Sequence, residues 1–445
     1  MGNRAGEIHP ASSRRGVAQN TRNYRIGPSD ALGTGSLKQK FKQNVSAILA
    51  VRWIEQEKRP ATPAEKAVLV KYVGWGGMPQ VFAEVPLDDW QQESEKLSQV
   101  LKPEEWEAAR ASTLNSHYTS PEIIRAIYAG VERLGFQGGR ILEPACGVGH
   151  FIGLMPEAIH AQSSITGIEL DSITAQISKL LYPDADIRHS PFEKALLPDG
   201  SYDLAISNVP FGDYQPYDKR FNVHKYPIHD YFFAASMERI RPGGLIAFIT
   251  SKGTLDKQSS RLRRHLSKQA DLVSAIRLPN TAFKDNAHTE VTADIVILQK
   301  RLPGQSPSGP AWLESVAHTN SQGEEMFLNE YFVANPRQML GTMTLEGRMY
   351  GRQEATLTSD ERDLTKALKE AMERLPEKIY QAPEITVVPS MEMTAVPAPD
   401  DIKPNAYALI KPTWERRSPS VRAMSLFRFP ILPVLLPTVF AAWFA

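Results

Sequence analysis

Seven short runs rich in β-branched residues, RILE, SITGIEL, DIRHS, YDLAISN, LIAFITS, LVSAIRL and DIVILQ, alternate with helical stretches between about positions 117 and 300. Parallel neighbours in a sheet must be joined by a crossover, usually a helix. Strand and helix alternating within one such block predict a largely parallel, doubly wound α/β sheet. The last two runs are joined by the helix-poor segment PNTAFKDNAHTEVTA, so that pair is expected to be antiparallel.

The remaining chain is organised around this block. Residues 1–35 carry Arg4, Arg14, Arg15, Arg22 and Arg25 against only Glu7 and Asp30, and read as a flexible basic arm. Residues 36–115 are expected to form a helical domain. Leu37, Phe41, Val45, Ile48, Leu49 and Trp53 recur at helical spacing. Thr62 and Pro63 then resemble an N-cap and a first-turn proline, and the glycines of GWGG stop that second helix, with Trp75 packing on the core. Residues 116–300 hold the sheet. Residues 301–380 form a small mixed region with one amphipathic helix, whose stripe is Leu364, Ala367, Leu368, Ala371, Met372 and Leu375. Residues 381–445 are a Pro-rich linker and an apolar tail.

Composition narrows the function classes. The 445 residues carry 51 Lys+Arg against 50 Asp+Glu, a net charge of +1, so nucleic-acid binding has to come from a local basic patch. A single cysteine, Cys146, excludes disulfide frameworks and Cys-based zinc sites and fits a reducing compartment, with the cytoplasm the expected location. The histidines show no paired metal-ligand spacing, so no metal is expected; His150, His224 and His229 read as polar pocket or loop residues. The N-terminus lacks the apolar stretch of a secretory signal. At the other end, PILPVLLPTVFAAWFA spans 16 residues with three prolines, short of the roughly 20 apolar residues of a membrane span. It reads as a truncated or frame-shifted end, and no membrane partner is expected.

The chemistry-bearing residues lie at strand ends. ILEPACGVGHF runs from a strand ending in Glu143 into Gly147 and Gly149, which let the backbone approach a ligand where open α/β sheets bind one. Glu169 ends the second strand, where an acid can accept both ribose hydroxyls of a nucleoside. The third glycine of the dinucleotide fingerprint is absent, with Phe151 near its place, and no G-x-x-x-x-G-K-[ST] occurs. A nucleoside without phosphates therefore fits better than a dinucleotide, and no P-loop motor is encoded. The fourth strand runs into Asn208, Val209, Pro210 and Phe211. The Asn208 side-chain oxygen and the Val209 carbonyl can accept from a planar exocyclic amine while Phe211 stacks on its ring. An amine so held can attack a methyl-sulfonium carbon in line, driven by positioning and electrostatics.

In that order at strand ends, EPACGVGHF, GIEL and NVPF resemble motifs I, II and IV of the S-adenosylmethionine-dependent DNA adenine-N6 methyltransferases. HYTSP at 117–121 resembles motif X, residues 230–233 motif V, PGGLIAFITS motif VI and residues 283–299 motif VIII. More narrowly, YVGWGGMPQVF, NVPFGDY and FITSKGTLDK resemble the methyltransferase part of large plasmid- and phage-borne methylase-helicase fusion proteins. The resemblance implies a Rossmann-like class I methyltransferase fold, a seven-stranded mostly parallel sheet with an N-terminal helical domain and a linker-rich C-terminal region. It implies S-adenosyl-L-methionine as cofactor, with His117, Tyr118 and Thr119, Glu143, Pro144 and Ala145, Gly147 and Gly149, Glu169 and Phe192 around it. Asn208, Val209, Pro210 and Phe211 would hold a flipped adenine of DNA, and a helicase region would be a partner.

Two departures stand out. The family usually has Pro where Val209 stands; Val keeps the carbonyl acceptor but not the fixed φ. Motif III usually supplies an Asp near the cofactor's adenine, whereas this chain has Ser190, Pro191, Phe192 and Glu193. The loop 212–229 interleaves Tyr214, Tyr217, Phe221 and Tyr226 with Lys219, Arg220 and Lys225, a composition that favours contact with an unstacked DNA strand through Tyr214, Tyr217, Lys219, Arg220 and Lys225, with a loop packed by its own rings as the alternative. Two other readings remain: a methyltransferase acting on guanine N2 of RNA or on protein glutamine, and a non-catalytic cofactor- or DNA-binding remnant of a fusion protein.

Overall fold

The protein's structure, a computed structural model, describes residues 22–85, 89–113, 118–283, 291–349, 352–360 and 362–383. The described residues form one compact unit, while Ile385–Ala445, with most of the Pro-rich linker and the apolar tail, fall outside them. So do His117 and residues 1–21 of the expected arm.

All seven expected strands are present: β1 (Arg140–Glu143), β2 (Ser164–Glu169), β3 (Asp186–His189), β4 (Tyr202–Asn208), β5 (Ile240–Ser251), β6 (Ala270–Leu278) and β7 (Ala293–Lys300). They form one sheet in the order β3-β2-β1-β4-β5-β7-β6. The first five run parallel, and β7 lies antiparallel between β5 and β6. This is the Rossmann-like class I methyltransferase arrangement. The strand order reverses between β1 and β4, which opens a crevice beyond their carboxyl ends.

The helices follow from local signals. α1 (Leu37–Glu57) is capped by Ser36 and α2 (Pro63–Leu69) by Thr62, with Glu65 completing its capping box. α3 (Gln91–Val100) and α4 (Pro103–Ser112) complete the N-terminal segment, and α5 (Pro121–Arg133) leads into β1. α6 (His150–Gly153) and α7 (Glu157–His160) are single turns, and α8 (Ser172–Leu181) joins β2 to β3. α9 (Ile228–Arg239) runs directly into β5. Beyond β5 come α10 (Gly253–Asp256) and α11 (Arg261–Leu266).

Three details refine the expected layout. Leu49 and Trp53 belong to the helical stripe of α1, yet they are 49% and 56% exposed, because the buried face of the helix runs through Phe41, Val45, Ile48, Val51 and Ile54. Residues 22–26 of the expected arm lie against the protein, Tyr24 N–H donating to the Leu181 carbonyl at 2.8 Å and Ile26 N–H to the Gly153 carbonyl at 3.0 Å. Finally, the N-terminal helices are not separate from the sheet, for Phe41, Ile48 and Trp75 share one apolar core with Ile123, Val148 and Ile177. The C-terminal region adds two hairpins, β8 (Ser315–Thr319) with β9 (Glu325–Asn329) and β10 (Thr342–Met349) with β11 (Arg352–Thr358). Between them lies α12 (Glu330–Ala334), and α13 (Leu364–Glu373) follows, burying the expected stripe at Ala367, Leu368, Ala371 and Met372. No helix among the described residues is long and apolar enough to cross a membrane.

Candidate functional site

β1 delivers Glu143 to the point where the strand order reverses. Its side chain is buried, and Oε2 has no hydrogen-bond partner among the described residues. Burial, and then the nearby Glu169, hold this carboxyl well above the usual range. The chain next turns through Gly147 and Gly149 with φ of 54° and 81°, the left-handed region. Gly149 N–H closes the turn on the Cys146 carbonyl at 2.8 Å. The two glycines answer different demands. A Cβ on Gly149 would press into the Tyr182 ring, with Cδ2 at 2.8 Å, whereas one on Gly147 would meet only Tyr118 Cε1 at 3.9 Å. Packing fixes the first, and the second borders open space.

Glu169 ends β2 and ties that loop down. Its Oε2 accepts from Gly147 N–H and its Oε1 from Asp171 N–H, both at 2.8 Å. Burial pushes this carboxyl up to about 7 in spite of those two bonds. A carboxylate offers about four acceptor sites, so capacity remains for an incoming hydroxyl. Asn208 ends β4, and its Nδ2 donates to Thr119 Oγ1 at 3.0 Å, which orients the amide. Val209 N–H continues the ladder to the Ile249 carbonyl at 3.1 Å.

These strand ends open into one cavity of about 880 Å³, within the usual range for small-molecule sites. Of the expected cofactor residues, Tyr118, Thr119, Glu143, Pro144, Ala145, Gly147, Glu169 and Phe192 line it. Of the expected base-holding residues, Asn208 and Pro210 line it; Val209 is buried in the core and Phe211 is half-buried, packed against apolar neighbours outside the wall. Gly149 is not part of the wall. Where motif III differs, Ser190 and Glu193 are the polar groups at the wall, and Phe192 packs on Phe232 with ring centroids 4.9 Å apart. His150 also lines the cavity, edge-on to Tyr118, and burial pushes its imidazole down to about 4.

The loop 212–229 divides between the two readings of its composition. Phe221 and Tyr226 are buried, while Tyr214 and Tyr217 are 50% and 74% exposed. Tyr214 reaches the cavity wall; Tyr217, Lys219, Arg220 and Lys225 stand outside it on the surface. Arg220 pairs with Asp218 at 3.1 Å and lies over the Phe221 ring. Sequence reasoning missed one wall altogether. Tyr72, Gly74 and Trp75, with Glu104, Ala108 and Ser112 of α4, face the same cavity. The 104, 108, 112 spacing is one helical face, but nothing in it names what that face meets.

No protein-family model matches the chain. Over 213 residues it is 28% identical to the "Defense against restriction protein B" of Escherichia phage P1; the match covers 46% of this chain and 9% of that protein. Among solved structures, a Listeria monocytogenes protein assigned as a class I S-adenosylmethionine-dependent methyltransferase is similar over 61% of this chain and 91% of its own, at 17% identity and a TM-score of 0.38. The type I restriction-modification methyltransferase subunit of Streptococcus thermophilus is similar over 63% of this chain and 68% of its own, at 16% identity and a TM-score of 0.37. The fold assignment rests on the strand order rather than on these likenesses.

Proposed function

We propose that this chain is an S-adenosylmethionine-dependent methyltransferase acting on the N6 amine of adenine in DNA. The observation that carries the reading is a single cavity joining the Glu143, Gly147 and Glu169 cradle to the Asn208 amide. The residues present fit the cofactor. Glu143, buried with an oxygen unpartnered among the described residues, suits the ammonium of a methionine moiety, the open face of Gly147 leaves room beside it, and Glu169 has acceptor capacity left for a ribose hydroxyl. S-adenosylmethionine would supply a methyl group on a positively charged sulfur.

The chain's own residues do the positioning. Thr119 orients the Asn208 amide, and the Asn208 oxygen with the Val209 carbonyl would accept hydrogen bonds from the two N–H groups of an exocyclic amine, keeping its lone pair on nitrogen. Pro210 and Tyr214 supply apolar wall for the base, with Phe211 beside them. The base must leave the stack, at about a few kcal/mol, and the exposed Tyr217, Lys219, Arg220 and Lys225 are suited to backbone and neighbouring-base contacts that offset it. The resemblance to methylase-helicase fusion proteins adds a helicase region or partner to the same reading.

The test is incorporation of labelled methyl groups into plasmid DNA, structured RNA and protein offered in parallel. Label in DNA is expected. Label confined to RNA or protein would move the acceptor to guanine N2 or glutamine, and no label despite cofactor binding would leave a non-catalytic remnant.

A further inference from the structure

The two faces of α11 carry different chemistry. Leu262, Arg263 and Leu266 are buried. Three carbonyls hold the Arg263 guanidinium inside: Nε donates to Leu313 at 2.7 Å, Nη1 to Thr254 at 3.2 Å and Nη2 to Lys257 at 2.8 Å. The opposite face is cationic. Arg261, Arg264 and Lys268 are exposed and, at i, i+3 and i+7, share one side of the helix. The helical course continues past Leu266, with Ser267 N–H donating to the Arg263 carbonyl at 2.9 Å and Lys268 N–H to the His265 carbonyl at 3.4 Å.

The aromatic loop is docked on this helix. Arg261 Nη1 donates to the His224 carbonyl at 2.7 Å, and Tyr226 Oη shares a hydrogen bond with His265 Nδ1 at 3.0 Å. The His224 ring stacks on Tyr226 at 5.0 Å and stands edge-on to His265 at 5.2 Å. Both ends of the same loop reach the cavity, through Tyr214 and Pro216 before the docked turn and Ile228 after it. The cations of α11 therefore adjoin those of the loop, beside a segment that leaves the cavity wall and returns to it. The nearby acids are largely engaged: Glu314 pairs with Arg264, Asp218 and Asp199 with Arg220, and Glu238 accepts from Gln269. Arg261, Lys268, Lys219 and Lys225 have no acidic partner among the described residues. In a chain whose net charge is only +1, this is the local basic patch that nucleic-acid binding requires.

We propose that the Arg261, Arg264 and Lys268 face of α11 is a backbone-binding surface for double-stranded DNA, holding phosphates of the duplex that flanks the flipped base. This rests on the DNA reading given above. Cations on a fixed helix neutralise phosphates and set the position of the duplex without reading its sequence. The interface then extends from the loop to a helix anchored in the core by Arg263.

The test is fluorescence anisotropy of a labelled duplex titrated with the full chain between about 50 and 200 mM salt. Wild type is compared with Arg264→Gln, Lys268→Gln, their double variant, and Lys179→Gln on the exposed side of α8 as a control. Each single α11 variant is expected to lower the slope of log affinity against log salt by about 0.9, and the double variant by about twice that. Lys179→Gln leaves the slope unchanged, and melting points and S-adenosylhomocysteine affinities of all four match wild type. Wild-type slopes in the α11 variants, or an equal loss with Lys179→Gln, overturn the proposal and leave the DNA reading intact. A folded wild-type chain that does not bind duplex DNA, whether or not it binds structured RNA, removes both.

Discussion

The two glycines of the loop after β1 offer a sharp contrast in one experiment. Gly149→Ala combines a left-handed backbone with a Cβ driven into the Tyr182 ring and 3.2 Å from Ser178 Oγ. The backbone term is roughly 1–2 kcal/mol. Overpacking of a filled core adds about 1–3 kcal/mol. Together they predict a loss of about 2–5 kcal/mol in stability. Gly147→Ala carries only the backbone term, about 1–2 kcal/mol, since its nearest neighbour is Tyr118 Cε1 at 3.9 Å. Its methyl group, however, projects where the cofactor is proposed to lie. Urea unfolding and S-adenosylhomocysteine titration of both variants separate the effects. Gly149→Ala is expected to shift the unfolding midpoint more, and Gly147→Ala to lose about tenfold or more in affinity while remaining folded. A Gly147→Ala protein that binds as tightly as wild type would refute the placement of the ligand over that loop.

Glu169 gives a pH signature. It titrates at about 7 in the folded protein against an ordinary value of 4.5, so between these the unfolded chain has released a proton that the folded chain retains. Its contribution to stability therefore falls as pH rises from about 4.5 to 7 and levels off above; the buried Glu143 adds a slope of the same sign, so urea titrations of Glu169→Gln should show a shallower pH dependence than wild type. Hydroxyl donors favour the ionised form, so cofactor affinity measured by calorimetry should strengthen as pH rises through the same value. Arg277 is fully buried, pairing with Asp294 at 2.8 Å and Asp256 at 2.6 Å; Arg277→Ala strands two carboxylates and should cost about 3–5 kcal/mol in urea unfolding. Lys219→Ala and Lys225→Ala should each reduce by about one the salt-dependence slope of DNA binding, with little effect on cofactor affinity.

The sheet was legible because its strands are short apolar runs separated by helical periodicity, and all seven lie where the pattern puts them. β5 starts earlier than LIAFITS indicates, since α9 passes straight into Ile240 and the Arg241-Pro242-Gly243-Gly244 stretch joins the strand with a register shift opposite Tyr202 and Leu204. The cofactor end of the cavity was legible for a related reason: strand-end acids and glycines sit at fixed chain positions relative to the sheet. The Tyr72 and Trp75 wall was not, because its place depends on Asn44, whose side chain holds Val73 N–H and the Gly74 carbonyl from some 30 residues away, and no periodicity encodes that contact. The aromatic loop was legible only by halves. Its composition could not say that Phe221 and Tyr226 turn inward while Tyr214 and Tyr217 turn outward.

The central claim concerns the acceptor. The most direct measurement is to incubate the chain with unmethylated plasmid DNA and S-adenosylmethionine, digest the DNA to nucleosides and identify methylated bases by mass spectrometry. The account predicts N6-methyladenine with the wild-type chain and none with Asn208→Ala, which should still bind S-adenosylhomocysteine. Unchanged N6-methyladenine formation by Asn208→Ala, or no methylated base from a folded, cofactor-binding wild-type chain, would contradict it.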